Sequence, residues 1–112
     1  MTIVIDPGHG GKDPGAVYAG VKEKELNLIV AKKLKEKLKG KGFNVIMTRE
    51  TDTDVSLQKR GEIAKSANAD LFLSIHFNAY NSSAKGAEVI YSYKSENSKR
   101  VAEIFLDEIV KL

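Results

Sequence analysis

The chain has 112 residues, with two histidines, no cysteine and a formal net charge of +3. That length fits one compact domain, and the lack of cysteine excludes disulfides and thiolate ligands, so any metal must be held by nitrogen and oxygen. The small positive surplus suits an anionic partner such as a bacterial wall surface. It is too weak, and between Lys32 and Lys41 too evenly mixed with acidic residues, to make a nucleic-acid face.

Thr2-Ile3-Val4-Ile5-Asp6 is apolar and β-branched and stops at Pro7-Gly8, which predicts a buried strand. The segment from Gly8 to Gly20 is rich in glycine, with Pro14 inside it, and predicts a loop of a length that is usually functional in so small a domain. From about Lys22 the spacing turns helical. Leu26, Val30, Leu34 and Leu38 recur every fourth residue, Ile29 broadens the stripe, and Gly40 and Gly42 end it.

Phe43 to Thr48 predicts a second strand and Thr51 to Asp54 a polar turn. Ser56 is placed to cap a helix carrying Leu57, Ile63, Ala64 and Ala67. Leu71 to Ile75 predicts a third strand, Asn78 to Lys85 a polar loop and Ala87 to Tyr91 a fourth strand. Ser95 then caps a last helix with Val101, Ile104, Phe105, Ile109 and Leu112 on one face. The order β-α-β-α-β-β-α specifies a three-layer α/β/α domain with a mostly parallel sheet. No run approaches the ~20 apolar residues of a membrane span. No basic stretch followed by an apolar core opens the chain, so no signal peptide is expected.

Both histidines follow apolar runs, His9 after Ile3-Val4-Ile5 and His76 after Leu71-Phe72-Leu73-Ser74-Ile75. If those runs are neighbouring parallel strands, both imidazoles emerge at the carboxyl edge of one sheet, where open α/β proteins place ligands. A histidine at a strand end is more often scaffold than ligand; two of them, each followed by turn residues, shift the balance toward a site. A carboxylate near the same edge would complete a three-ligand set with a fourth position open to water, as in catalytic zinc centres. Glu23 and Glu25 both qualify, and because two helical residues are separated by about 200° only one of them can face the metal. Spacing alone leaves the choice open. A phosphate cradle is the rival reading of Asp6-Pro7-Gly8-His9-Gly10-Gly11, but the loop lacks both the Lys-Ser/Thr of a P-loop and the glycine spacing of a dinucleotide fold. Gly8, Gly10 and Gly11 are expected to allow the positive φ that brings His9 to the metal. Asn78, two residues past His76, is placed to steady the same edge.

The stretch Ile3 to Ala16 closely resembles the opening of zinc-dependent N-acetylmuramoyl-L-alanine amidases of the amidase_3 type. So do Glu23-Lys24-Glu25-Leu26-Asn27-Leu28, Thr48-Arg49 with Asp52, Val55-Ser56-Leu57 with Arg60, and Leu73-Ser74-Ile75-His76-Phe77-Asn78-Ala79. The motifs fall in family order across essentially the whole chain. The resemblance implies one zinc ion held by His9, Glu23 and His76, with Asp6, Gly8, Gly10, Gly11 and Asn78 supporting them. It implies hydrolysis of the amide joining N-acetylmuramic acid to L-alanine in peptidoglycan, and so action at the bacterial cell wall; phage lysins, sporulation enzymes and exported autolysins all fall within it. The chain departs from the pattern in one respect. The family's late glutamate, the general base in a Glu-x-Gly-Phe-like strand, has no counterpart in this sequence, and Glu88 falls in an earlier strand. The expectation is a catalytic domain over residues 1–112 that lacks its terminal strand and helix. The alternative is a zinc- and peptidoglycan-binding fragment impaired in catalysis.

Overall fold

A computed structural model describes residues 1–77 and, beyond them, Arg100 and Glu103, both helical and exposed. The loop expected at Asn78 to Lys85, the strand at Ala87 to Tyr91 and most of the helix after Ser95 lie outside the described residues, and Asn78 with them. The described elements run β1 (Thr2–Pro7), β2 (Val17–Tyr18), β3 (Val21–Lys22), α1 (Glu23–Gly40), β4 (Asn44–Met47), α2 (Leu57–Ser66) and β5 (Leu71–Ile75).

β1 lies between the other two long strands in the order β4-β1-β5, and both pairings are parallel, as the element order led us to expect. Ile3 pairs with Val45 on one side and with Leu71 on the other. Pleating sends odd-numbered β1 and β5 side chains to one face, where Ile3, Ile5, Leu71, Leu73 and Ile75 form one core with Ala31, Leu34 and Leu38 of α1. Even-numbered Asp6 and Ser74 point to the opposite face, and Asp6 meets Arg60 of α2 there. The helices therefore cover opposite faces, giving the expected three layers. No described helix is long and apolar enough to cross a membrane.

Three sequence expectations need correction. The segment between Gly8 and Gly20 is not all loop: Val17–Tyr18 pairs antiparallel with Val21–Lys22 across a two-residue turn. Ala19 and Gly20 both have positive φ, 52° and 80°, which is the type I′ geometry that matches hairpin twist. Strands of two residues leave no alternation to read, and Ala-Gly is not the usual signature of this turn. The buried face of α1 is rotated from the leucine stripe. Glu23, Asn27, Ala31, Leu34 and Leu38 are buried, whereas Ile29 is 52% exposed and Leu26 lies at the surface. A strict four-residue repeat drifts around a helix with 3.6 residues per turn, and polar Asn27 hid the true register. Leu57, expected on the apolar face of α2, is 87% exposed.

The helix ends follow local chemistry. Ser56 Oγ accepts from the Lys59 amide at 3.1 Å, the expected cap of α2. α1 has no side-chain cap. It starts with acidic Glu23 and Glu25 and ends with basic Lys37 and Lys39, which suits its dipole.

Two outcomes follow for stability. Leu34→Ala should cost about 2–5 kcal/mol in chemical denaturation, because it empties a core position, whereas Ile29→Ala on the exposed side should change stability by less than about 0.5 kcal/mol. The Lys35 ammonium donates to Glu50, and that hydrogen bond holds the Glu50 carboxyl below its usual range. A depressed native pKa means that the contribution is present at neutral pH and is lost as pH falls through the lowered value. Glu50→Gln should thus cost roughly 0.2–1 kcal/mol near neutrality and nothing in strong acid, as unfolding curves across pH will show.

Candidate metal centre

In the order β4-β1-β5, the crossover through α1 leaves β1 to one side and the crossover through α2 returns to the other, so the topology reverses between β1 and β5. Crevices form at such a reversal, outside the carboxyl ends of the strands. β1 runs into His9 there and β5 into His76, and the Gly8 amide donates to the Ile75 carbonyl at 3.0 Å to keep the two exits side by side. The imidazole rings stand 5.1 Å apart, edge to face.

Glu23 opens α1 directly beneath them. Its Oε1 lies 3.3 Å from His9 Nε2 and its Oε2 lies 3.0 Å from His76 Nδ1. Ligand atoms of His9, Glu23 and His76 all fall within 4.8 Å of one another. Two imidazole nitrogens and a carboxylate oxygen, with no sulfur, are a donor set that suits zinc and other borderline divalent ions. Burial separates the two glutamates that spacing left open: Glu23 is buried beside the imidazoles and Glu25 is exposed on the far side of the helix. One part of the expected support, Asn78, lies outside the described residues.

The carboxylate is held from several directions. The Ala16 amide donates to Oε1 at 3.0 Å, and Asn27 Nδ2 and the Phe77 amide each donate to Oε2 at 3.2 Å. Burial opposes ionisation of Glu23 most strongly, but the bonds from Ala16 and Asn27, then His76 and His9, together outweigh it and hold the carboxyl below its usual range. Glu23 is thus poised as an anion.

Several contributors were not singled out in the sequence. Asp13 Oδ2 sits 2.8 Å from His9 Nδ1. A carboxylate can only accept, so that nitrogen carries the proton and Nε2 is left free to ligate, the carboxylate–histidine arrangement common around metals. The His9 hydrogen bond, then the Gly15 amide, hold the Asp13 carboxyl below its usual range. Asn27, fully buried, donates to the Gly8 carbonyl at 3.0 Å as well as to Glu23. Spacing could have flagged both, since Asp13 follows His9 by four residues and Asn27 follows Glu23 by one helical turn.

The glycines act for different reasons. Gly10 and Gly11 have the positive φ that was expected. Gly8 does not; it is glycine because an added Cβ would lie 2.3 Å from the His76 ring. Gly15, absent from the expected set, combines a φ of +68° with a position 2.6 Å from the His9 ring for any added Cβ. Beside the candidate metal position a cleft of about 640 Å³ extends over the α2 face, lined by His9, His76, Asp54, Leu57 and Phe72 among others.

Family membership agrees with this geometry. The amidase_3 model, described as N-acetylmuramoyl-L-alanine amidase, matches residues 3–112. The chain belongs to this family. It is 51% identical over 105 residues to the N-acetylmuramoyl-L-alanine amidase LytC of Bacillus subtilis, covering 91% of this chain and 21% of that protein. Cwp6 from Clostridium difficile superposes with a TM-score of 0.88 at 42% identity, over 98% of this chain and 18% of its own. The CwlD amidase of Clostridioides difficile, seen in complex with the GerS lipoprotein, gives 0.85 at 34% identity, over 98% of this chain and 65% of its own. The chain thus spans only part of each relative.

Metal uptake tests the ligand choice directly. Glu23→Gln should abolish stoichiometric uptake and Glu25→Gln should leave it unchanged. Asp13→Asn should weaken it by roughly 10–100-fold, the usual effect of losing a ligand's hydrogen-bond partner. Isothermal titration with zinc on folded variants reads all three.

Proposed function

We propose that the chain forms the metal-binding part of a zinc-dependent peptidoglycan amidase, which hydrolyses the amide between N-acetylmuramic acid and L-alanine at the bacterial cell wall. The observation that carries this reading is the convergence of His9 Nε2, His76 Nδ1 and the Glu23 carboxylate at the sheet's reversal point. Family membership supplies the reaction class. Zinc bound there would lower the pKa of a water toward ~7 and polarise the scissile carbonyl, the two effects that amide hydrolysis near neutral pH needs.

The residues divide the remaining work. Glu23 is kept ionised, Asp13 fixes the His9 tautomer, and the cleft over α2 offers room for substrate beside the ligands. The water's proton also needs an acceptor that passes it to the departing amine, a role worth typically 10²–10⁴-fold. Among the described residues the carboxylates at this edge are largely committed. Glu23 faces the metal position, Asp13 holds His9, Asp52 pairs with Lys24, and Asp6 is enclosed by Thr48, Arg60 and Ser74. Asp54 lines the cleft half-exposed, 3.8 Å from Lys12. Among the described residues this leaves Asp54 as the carboxylate open to the cleft; the second reading is a chain that binds zinc and wall fragments but cleaves slowly.

His76→Ala should remove zinc binding and all muramyl-peptide cleavage while leaving the circular dichroism of the fold in place. On the second reading, the 112-residue chain should hydrolyse a muramyl-peptide at least ~10²-fold more slowly than a version extended by the family's terminal segment. Equal turnover from the two would place the proton acceptor within residues 1–112, with Asp54→Asn as the variant to make next.

A further inference from the structure

Two buried arginines lie under the ligand loop without belonging to the ligand set. Arg49 and Arg60 are each 5% exposed. Among the described residues a single carboxylate, that of Asp6, touches either of them, through Arg60 Nη1 at 2.6 Å. Their other donors go to backbone carbonyls. Arg49 Nε donates to Pro7 at 3.1 Å, Nη1 to Thr51 at 3.0 Å, and Nη2 to both Gly8 and Lys24 at 2.9 Å. Arg60 Nε donates to Val55 at 3.0 Å, Nη1 to Pro7 at 2.8 Å, and Nη2 to His9 at 2.8 Å. Three consecutive carbonyls, those of Pro7, Gly8 and His9, therefore face two guanidinium groups.

Building on the amidase reading, we propose that Arg49 and Arg60 are positioning residues that set the three ligand-bearing segments in register before metal binds. Arg49 Nη2 is shared between the carbonyls of Gly8 and Lys24, the neighbours of His9 and Glu23, so one atom fixes the spacing of two ligand segments. Arg60 acts on the third through Asp6, whose Oδ2 accepts from Ser74 Oγ at 2.7 Å, two residues before His76. The backbone at His9 has a φ of 61°, a left-handed conformation uncommon for residues with side chains. Such a conformation persists only where its surroundings over-determine it, and the Arg60 bond to the His9 carbonyl does this directly. There is no slack beneath the loop: an added Cβ at Gly10 would lie 2.8 Å from Arg49 Nε. Lysine cannot replace this arrangement, because an ammonium lacks the rigid planar fork that reaches several carbonyls in one geometry.

The test uses the full-length protein with Arg49→Lys and Arg60→Lys. Zinc affinity is measured by competition with a chromophoric chelator, and coordination geometry by the visible spectrum of the cobalt-substituted site. Thermal unfolding of the metal-free forms is followed alongside. Variants that still unfold cooperatively should bind zinc roughly 10–100-fold more weakly and show a displaced cobalt band, neither of which a purely structural role would produce. A second measurement needs no variant: the intraresidue amide–Hα NOE of His9 together with its one-bond Cα–Hα coupling should already report a left-handed backbone in the metal-free parent and should not change when zinc is added. Folded lysine variants with parental zinc affinity and cobalt spectrum overturn the proposal. A His9 backbone that becomes left-handed only with zinc overturns it too, and that measurement decides the matter if the variants fail to fold. A parent that takes up no zinc overturns the amidase reading and this inference together; a zinc-binding parent matched by its lysine variants overturns this inference alone.

Discussion

Asp6 accepts hydrogen bonds from Thr48 Oγ1, Arg60 Nη1 and Ser74 Oγ, all within 2.7 Å, from a position that is almost wholly buried. The partners come from the segment after β4, from α2 and from β5, so one carboxylate at the end of β1 ties together the elements on its α2 face. Charge-assisted bonds of this kind are short and strong, and a buried ion has no water to fall back on. Removing one partner of a buried pair typically costs about 3–5 kcal/mol because the other is left uncompensated. The carboxyl edge of the sheet is therefore held as a unit, and both histidines leave from that edge.

On the other face of the sheet the constraint is apolar. Ile3, Ile5, Leu73 and Ala31 are completely removed from solvent, and they bring the N-terminus of α1 against the ends of β1 and β5. Glu23 is the first residue of that helix, where the dipole favours negative charge. The helix thus does two things with one placement. It seals the core through Ala31, Leu34 and Leu38, and it delivers an ionised carboxylate between the two imidazoles. Asn27 links these roles, since it lies one turn along the same buried face and touches both Glu23 and the Gly8 carbonyl.

The cost of the site is concentrated in the His9 loop. A left-handed residue other than glycine costs on the order of 1 kcal/mol or more, and two buried guanidinium groups that touch one carboxylate among the described residues are expensive to desolvate. Burial of Arg49, then its proximity to Arg60, lower its affinity for the proton, although Asp52 and Asp6 oppose this. These costs are offset by the close fit of carbonyls to the guanidinium donors and by the glycines that let His76 and His9 approach the backbone. Lys24 and Asp52 close the outer side of the same loop through Gly11.

Much of this was legible in the residues themselves. Apolar runs ending in turn chemistry located β1 and β5, the order of elements implied parallel strands and two helical layers, and two histidines at strand ends marked the edge where a site would form. Those features depend on local pattern and chain order, which a sequence carries explicitly. Ser56 as a cap and Glu23 at a helix start belong to the same class; spacing alone left Glu25 open, the family resemblance pointed to Glu23, and the rotation of α1 buries Glu23 while exposing Glu25. That rotation, the β2–β3 hairpin, the role of Asp13 and the carbonyl contacts of Arg49 and Arg60 came only from the tertiary structure. Each depends on what lies across space from a residue: Arg60 meets the His9 carbonyl from 51 positions away, and Gly8 is constrained by a ring 68 positions later. The sequence by itself determined which side chains are the candidates for the chemistry and at which edge they emerge. Only the packed fold decided which atoms of those side chains face one another, because that follows from strand register, helix rotation and the close approach of backbone segments, none of which is encoded in the spacing of neighbours.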